Sequence, residues 1–409
     1  MALDYHGAVS TFIDHGYGTD VHATWDIVSN TDKRDVSEVL DLLAIADTPF
    51  INRIGWGPES GSQSIEWISE DLGRGYIQLA SVKASATTTI DIGTVAGMTT
   101  TEVLKQVQTG TVLYQYQSAE GEHGLAVIVS ISADGDDCEI EQLSADGAGW
   151  VSGAGLTAYS AADKLYILGA VANEGSWPRV GNPRDRVLNS NGFTIFRQDV
   201  NITGSMKAND FYAIGREDKH QVLMRLKEMQ REREKSALYS GQIARSATVA
   251  SLMNGALGFL MSQSGNHIDI STTALTENAV NTVVSECWEN GANNLTWFSD
   301  INQAAKFTRW DKQRIRMAPR DNRGGGLVTY YMTEAGIEIE IVPMRMVPTN
   351  IAFLIDTSKC AMRAKKGRKG FMEKLGKQGD FDMWQIISEC SLEMKGYNLG
   401  QHGCFTRLS

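Results

Sequence analysis

The sequence predicts an α+β protein with mostly antiparallel sheets and one helix far longer than the rest. Three observations carry this reading. Residues 215–241, GREDKHQVLMRLKEMQREREKSALYSG, run as a single helical stretch with no proline and a stop at Gly241. Residues 87–169 break into short β-forming runs parted by small residues. Further on, Ile337, Ile339 and Ile341 alternate with Glu338 and Glu340, the mark of a half-buried strand.

Residues 1–34 are polar and mixed, with Gly7, Gly16 and Gly18 and no sustained periodicity, which reads as an extended arm held by something else. Asp35 with Glu38 starts a short helix whose face is Val36, Val39, Leu40 and Leu43, and Asp47-Thr48-Pro49 stops it. Strands are expected at Thr111–Gln115, Leu125–Ile131, Cys138–Leu143 and Lys164–Leu168, with a turn at Ser132–Asp136. A segment of that size fits a small β barrel or sandwich inserted between the two arms of a longer hairpin.

The long helix would be a rod of roughly 36 Å. Val222, Leu223, Leu226, Met229 and Ala237 share one side, but Arg233 interrupts that stripe. The rest of the circumference carries Lys227, Glu228, Arg231, Glu232 and Lys235, so the helix buries only a narrow face. Ala247–Gly265 reads as helical. Thr276 caps a further helix along Val280, Val283, Val284, Cys287 and Trp288, which Gly291 ends. Leu295–Phe298 is a short buried strand, and a helix from Ser299-Asp300 runs through Trp310. Leu327–Met332 and Ile337–Val342 read as strands around Gly336, and Ile351–Ile355, apolar throughout, as a central one. Trp384, Ile386, Cys390, Leu392 and Met394 alternate with Gln385, Glu389, Glu393 and Lys395 in the last long strand.

At 409 residues the chain has room for two or three domains. It holds no run of eighteen apolar residues, and its first eighteen residues lack the basic and apolar regions of a secretory signal, so neither a membrane span nor export is expected. Five scattered cysteines without CxxC spacing point to reduced thiols in a cytosolic setting. Residues 1–180 hold 25 acidic and 8 basic side chains, a net of −17, whereas residues 181–409 hold 24 and 30, a net of +6. A free nucleic-acid binder is usually basic overall. The split suits a protein with one acidic, water-facing portion and a mildly basic body.

Catalytic signatures are missing. The chain has no GxGxxG after a strand, no HExxH and no GxSxG. Gly370–Lys377 (GFMEKLGK) departs from a phosphate loop, with five residues between its glycines and Gln378 where Ser or Thr should hold magnesium. Asp134, Asp136, Asp137, Glu139 and Glu141 lack the ordered spacing of a calcium loop. His6, His15 and His22 are spaced nine then seven apart and share no helix face. Two basic loops stand out: Arg314, Arg316, Arg320 and Arg323 before Gly324-Gly325-Gly326, and Arg363, Lys365, Lys366, Arg368 and Lys369 around Gly367. Each is either a solvated loop, a contact to acidic residues of a neighbouring copy, or a contact to DNA.

A resemblance enters through segment order: DTPFINRIG (47–55), ANEGSWPR (172–179) and NGFTIFRQDVNITGSM (191–206), then ENAVNTVVSECWENGANNLTWFSD (277–300) and IEIEIVPMRMVPTNIAFLID (337–356). In this order, from about Val36 onward, the chain resembles a tailed-bacteriophage major capsid protein of the Hong Kong 97-like fold. The similar branch carries a β insertion domain in its extended loop. The resemblance implies an arm and short helix (1–48) and an extended loop (49–205) with the insertion at about 87–169. It further implies a peripheral domain with a spine helix (206–250 and 343–409) and an axial domain (251–342). It implies a structural protein, neither enzyme nor cofactor binder, that assembles into hexamers and pentamers of an icosahedral shell in the host cytoplasm. Portal, scaffolding or decoration proteins and loosely held double-stranded DNA would be its partners. Arg233, Arg320, Arg323, Lys365, Lys366, Arg368 and Lys369 are then candidate contacts between subunits. An encapsulin-like cargo shell shares the fold, and a cytosolic enzyme with a site of dispersed carboxylates is the rival from another class.

Overall fold

A computed structural model of the chain describes residues 48–70, 75–81, 88–93, 103, 105–117, 122–132, 137–143, 149–151, 163–172, 174–177, 186–209, 216–262, 267–271, 274–310, 315–316, 330–377 and 379–409. The expected arm, the capped helix from Asp35, the turn at 133–136, and Arg320 and Arg323 lie outside the described residues.

Helix α1 (Pro49–Ile54) opens with Pro49 in its first turn, where a missing N–H costs nothing. Gly55 ends it at φ 69°, a left-handed conformation in which a β-carbon would be strained. Strand β1 (Ser64–Glu70) leads to the inserted strands β2 (Tyr76–Gln78), β3 (Thr89–Asp91), β4 (Thr111–Gln117), β5 (Glu122–Ile131), β6 (Asp137–Leu143), β7 (Trp150–Val151) and β8 (Lys164–Ala170). They form a sheet in the order β2-β8-β4-β5-β6-β3, with β7 on β6. A bridge between Leu79 and Ile92 joins the outermost strands, with Ala80 N donating to Asp91 O at 3.1 Å and Gly93 N to Gln78 O at 2.7 Å. The sheet thus closes into a small barrel with its own core of Ile77, Ile90, Leu113, Ile128 and Leu165. It begins at Tyr76, upstream of Thr87, because closure uses β2 as a stave.

The chain returns along β9 (Arg186–Gly192), which pairs antiparallel with β1 from Ser64↔Gly192 to Glu70↔Arg186 as a two-stranded ribbon. Then follow β10 (Thr194–Thr203), α2 (Gly204–Ala208), the long helix α3 (Glu217–Tyr239), α4 (Ala256–Met261), β11 (His267–Asp269), α5 (Glu277–Glu289), β12 (Leu295–Ser299) and α6 (Ile301–Trp310). The last strands are β13 (Ile315–Arg316), β14 (Tyr330–Met332), β15 (Glu338–Pro343), β16 (Ile351–Asp356), β17 (Cys360–Ala364), β18 (Phe371–Leu375), β19 (Phe381–Met394) and β20 (Gly403–Thr406). One sheet, β10-β19-β17 with β18 also on β19, is antiparallel and carries α3 on one face. The other runs β11-β20-β16-β12-β15-β14-β13, antiparallel except at β11/β20 and β12/β15.

That second sheet is a wall between two cores. Side chains alternate along a strand, so Phe298, Phe353, Ile355 and Cys404 enter one core, while Trp297, Leu354 and Phe405 enter the other. The first core also takes Phe50, Trp67, Leu238 and Phe259, and Phe50 meets Phe298 edge-on at 5.3 Å. The second takes Val280, Val283, Val284 and Cys287 from α5, whose Thr276 accepts from Ala279 N at 3.3 Å. β16 is central and buried on both sides because it serves both cores.

Two expectations are corrected. Ala247–Gly255 is not helical, and only α4 forms within Ala247–Gly265. The polar groups of that stretch bond to neighbours instead. Met253 N donates to Thr194 Oγ1, Asn254 N to Asn191 Oδ1 and Ser251 Oγ to Phe193 O. A β-carbon on Gly255 would lie 2.8 Å from Ser236 O, so this turn presses directly on the end of α3. The stripe of α3 is the second correction. Leu223 is 57% exposed and Leu226 is also exposed, whereas Met229, Ala237 and Leu238 are buried. The apolar pattern meets the body only over its C-terminal half.

His402 joins the two sheets. Its Nδ1 accepts from Asp356 N at 3.0 Å at the end of β16, and its Nε2 lies 2.7 Å from Lys395 O just beyond β19, which fixes the neutral tautomer with the proton on Nε2. Burial pushes its pKa down to about 4. The unfolded chain takes up this proton below pH 6.5 while the native one does not, so the stability is whole above 6.5 and drains away between 6.5 and about 4. We expect about 3 kcal/mol of acid destabilisation over that window from this residue. Urea unfolding at intervals from pH 7.5 to 4 should show it in the wild type and show a flatter slope in His402→Gln; equal slopes would exclude this origin.

Candidate assembly surface

The root of the ribbon is built first. Residues 55–60 run beside β17 in parallel bridges, Trp56 with Met362 and Ser60 with Lys365. Gly57 N donates to Met362 O at 2.8 Å, Met362 N to Gly55 O at 3.0 Å, Ser60 N to Ala364 O at 2.9 Å and Lys366 N to Ser60 O at 3.0 Å. Gly367 N donates to Glu59 Oε2 at 3.1 Å, and Arg363 Nε to Pro58 O. This segment covers an otherwise open sheet edge. The basic hairpin after β17 and β17 itself therefore tie residues 55–60, which lead into β1, to the body through backbone hydrogen bonds.

Its side chains are largely engaged within the chain. Glu389, 3% exposed, has Arg368 Nε at 2.8 Å, Arg245 Nη2 at 3.1 Å and Lys365 Nζ at 3.6 Å. Glu393 accepts Arg363 Nη1 at 2.7 Å and has Lys395 Nζ at 3.3 Å. Lys365 and Arg368 therefore gather on a buried carboxylate of their own chain, since a buried charge must find its partners close by. Lys366 and Lys369 remain exposed, with Lys369 Nζ 4.7 Å from the Trp56 ring centroid.

Arg233 also makes contacts within its own chain. It neither emerges freely nor pairs with a carboxylate among the described residues. Its Nη1 donates to Ser388 Oγ at 3.3 Å and to Lys369 O at 3.5 Å, and its guanidinium lies 5.6 Å from the Trp56 ring centroid. Burial lowers its pKa, yet guanidinium stays charged and the aromatic face repays part of the desolvation.

What sequence reasoning missed is the burial, among these cations, of Glu389 and Glu393. The alternation along β19 assigns them to its polar side, but the hairpin folds back over that side. The one signal was the surplus of cations between Arg363 and Lys369, which needs acids from elsewhere in the chain. All five cysteines are free and buried, and burial pushes Cys138, Cys390 and Cys404 up to about 12, so these thiols are poor nucleophiles.

The ribbon presents the opposite situation. Ile65 and Trp67 point into the first core, while Ile68 and Leu188, directly opposed on the other face, are 65% and 63% exposed. No helix among the described residues is long and apolar enough to cross a membrane.

Against known proteins, the family model described as "SU10 major capsid protein" matches residues 16–409. The chain belongs to that family. It is a tailed-phage major capsid protein, a structural component of the virion that assembles into a multimeric shell. Its fold is the Hong Kong 97-like one. The capsid of cyanophage A-1(L) superposes with a TM-score of 0.53 at 9% identity, over 94% of this chain and 99% of the other. The capsid of a native GTA particle does so with 0.50 at 8%, over 93% and 97%. An encapsulin from Synechococcus elongatus PCC 7942 matches over 55% of this chain and 78% of its own, with 11% identity and a TM-score of 0.41, and at that distance decides nothing. No curated protein matches this capsid protein significantly.

Neutralising Glu389 should strand three cations around a buried amide. Glu389→Gln is expected to cost the unassembled subunit about 2 kcal/mol. Urea unfolding of the two proteins at equal salt checks this, and a loss below about 0.5 kcal/mol would show the cluster to be mere surface pairing.

Proposed function

We propose that this capsid protein builds hexamers and pentamers of an icosahedral shell around packaged double-stranded DNA, with the ribbon and the N-terminal arm lying across neighbouring copies. The observation that carries the reading is the pair Ile68 and Leu188, two large apolar side chains facing water on a narrow two-stranded ribbon. Isolated ribbons are marginal in water, and burying what remains exposed of such a pair would contribute roughly 2–4 kcal/mol for two side chains. A second copy supplies that burial without any further partner.

The division of labour we propose keeps residues 1–48 as arm, 49–205 as extended loop with the barrel inserted, 206–250 with 343–409 as peripheral domain, and 251–342 as axial domain. The net −17 of residues 1–180 favours an outward, water-facing barrel, and the mildly basic remainder favours loose contact with DNA. Arg233, Arg320, Arg323, Lys365, Lys366, Arg368 and Lys369 are the candidate contacts to a neighbour in this reading, with Lys366 and Lys369 exposed in the subunit. Assembly in the host cytoplasm, a portal at one vertex, and separate scaffolding or decoration chains complete it.

The test is the double variant Ile68→Glu with Leu188→Lys, which replaces the apolar pair by a cross-strand ion pair and so keeps the ribbon. The expected result is a folded subunit with wild-type circular dichroism and a particle yield reduced about tenfold or more in sedimentation. Wild-type particle yield would contradict a docked ribbon.

A further inference from the structure

Glu234 lies on α3 with no exposed surface, and its carboxylate accepts Phe50 N at 2.7 Å and Ile51 N at 3.0 Å. Those are the second and third residues of α1, the positions whose free N–H groups an N-cap side chain ordinarily satisfies. The local N-cap is Thr48, a residue type suited to the task, yet its side chain makes no cap bond. The cap is thus supplied from 184 residues away. Pro49, in the first turn, has no N–H to satisfy, so the carboxylate meets the first donors that exist.

One residue earlier, Arg233 lies over Trp56 at the other end of the same short segment. Two consecutive residues of the spine helix therefore hold both ends of residues 50–56, the junction between the N-terminal segment and the root of the extended loop. A helix of six residues with idle local capping has little stability of its own. Its place in the subunit comes from α3 and from Phe50 packed on Phe298.

We propose that Glu234 is a positioning residue for assembly: by capping α1 from the spine helix it sets the direction in which the arm and the extended loop leave the subunit. This rests on the reading that these two elements lie across neighbouring copies. Capping alone and positioning are separable, because a cap can be restored locally. Thr48→Asp supplies a strong N-cap within α1 but no link to α3.

The experiment compares wild type, Glu234→Ala, Glu234→Gln and Glu234→Ala with Thr48→Asp, each as the full chain. Thermal unfolding of the subunit and particle yield are read in parallel. Glu234→Ala should lower the midpoint, and adding Thr48→Asp should recover most of that loss. Particle yield of the double variant should stay about tenfold below wild type, the scale of one charge-assisted hydrogen-bond link lost per subunit. Glu234→Gln, which keeps one acceptor, should fall between. Wild-type yield in the double variant overturns the proposal, leaving Glu234 as a cap only. If the alanine variants do not accumulate folded, Glu234→Gln with Thr48→Asp decides by the same comparison; if no variant folds, Glu234 is a folding residue and the proposal falls. Deletion of residues 1–34 in the wild-type background separates the two claims. Unchanged yield there defeats the reading that the arm engages neighbours, whereas lost yield there with normal yield in the Glu234 variants defeats only the positioning role.

Discussion

A carboxylate with no exposed surface, in the middle of a long helix, is the constraint around which this subunit is organised. Burying a charge costs several kcal/mol unless donors surround it. Glu234 meets the condition with the opening N–H groups of α1. That places Phe50 against Phe298 and so seats α1 on the wall sheet. It also brings Trp56 under Arg233, from where residues 55–60 run along β17 and start the ribbon. Asn191 closes the other side of the ribbon in a comparable way, its Nδ2 donating to Leu392 O and Asn254 O while Oδ1 accepts Asn254 N. Both ends of the extended loop are thus fixed by buried polar groups with several partners each, which specifies geometry more sharply than apolar packing does.

The wall sheet explains how the body of the subunit acquires two cores. Each of its central strands serves both, with helices α5 and α6 closing the second core, and α1, α4, the end of α3 and strands β17 and β19 of the other sheet closing the first. What such layering leaves exposed is the outer face of the ribbon and the apolar side chains Leu223 and Leu226 in the N-terminal half of α3. In a protein of the major capsid family those surfaces have a natural destination, because the functional state is the shell and its stability is inseparable from the contacts between copies.

Much of this was legible in the sequence, and the failures have physical causes. Proline-free length and Gly241 gave α3, Thr276 with its 3–4 spacing gave α5, and the alternation at Ile339 and Ile341 gave β15, all of them local signals. The helix expected at Ala247–Gly265 failed because Asn191 and Thr194 bid for its backbone groups, and no local pattern records a partner sixty residues away. Arg233 was visible as an anomaly, but its solution, a tryptophan face and a serine hydroxyl, was not. The buried Glu389 and Glu393 read as a solvent face, since alternation says which side a residue is on and not what covers that side. Glu234 carried no signal at all: a glutamate in a charged helix is ordinary until the fold brings α1 to it.

The central claim is that the extended elements of this subunit find their burial only in other copies, so the purified full chain should not remain monomeric. Sedimentation velocity combined with negative-stain electron microscopy, across a range of protein concentration and salt, tests this most directly. The account predicts rings of five or six subunits and closed shells. A homogeneous monomer that stays folded under all of those conditions would contradict it.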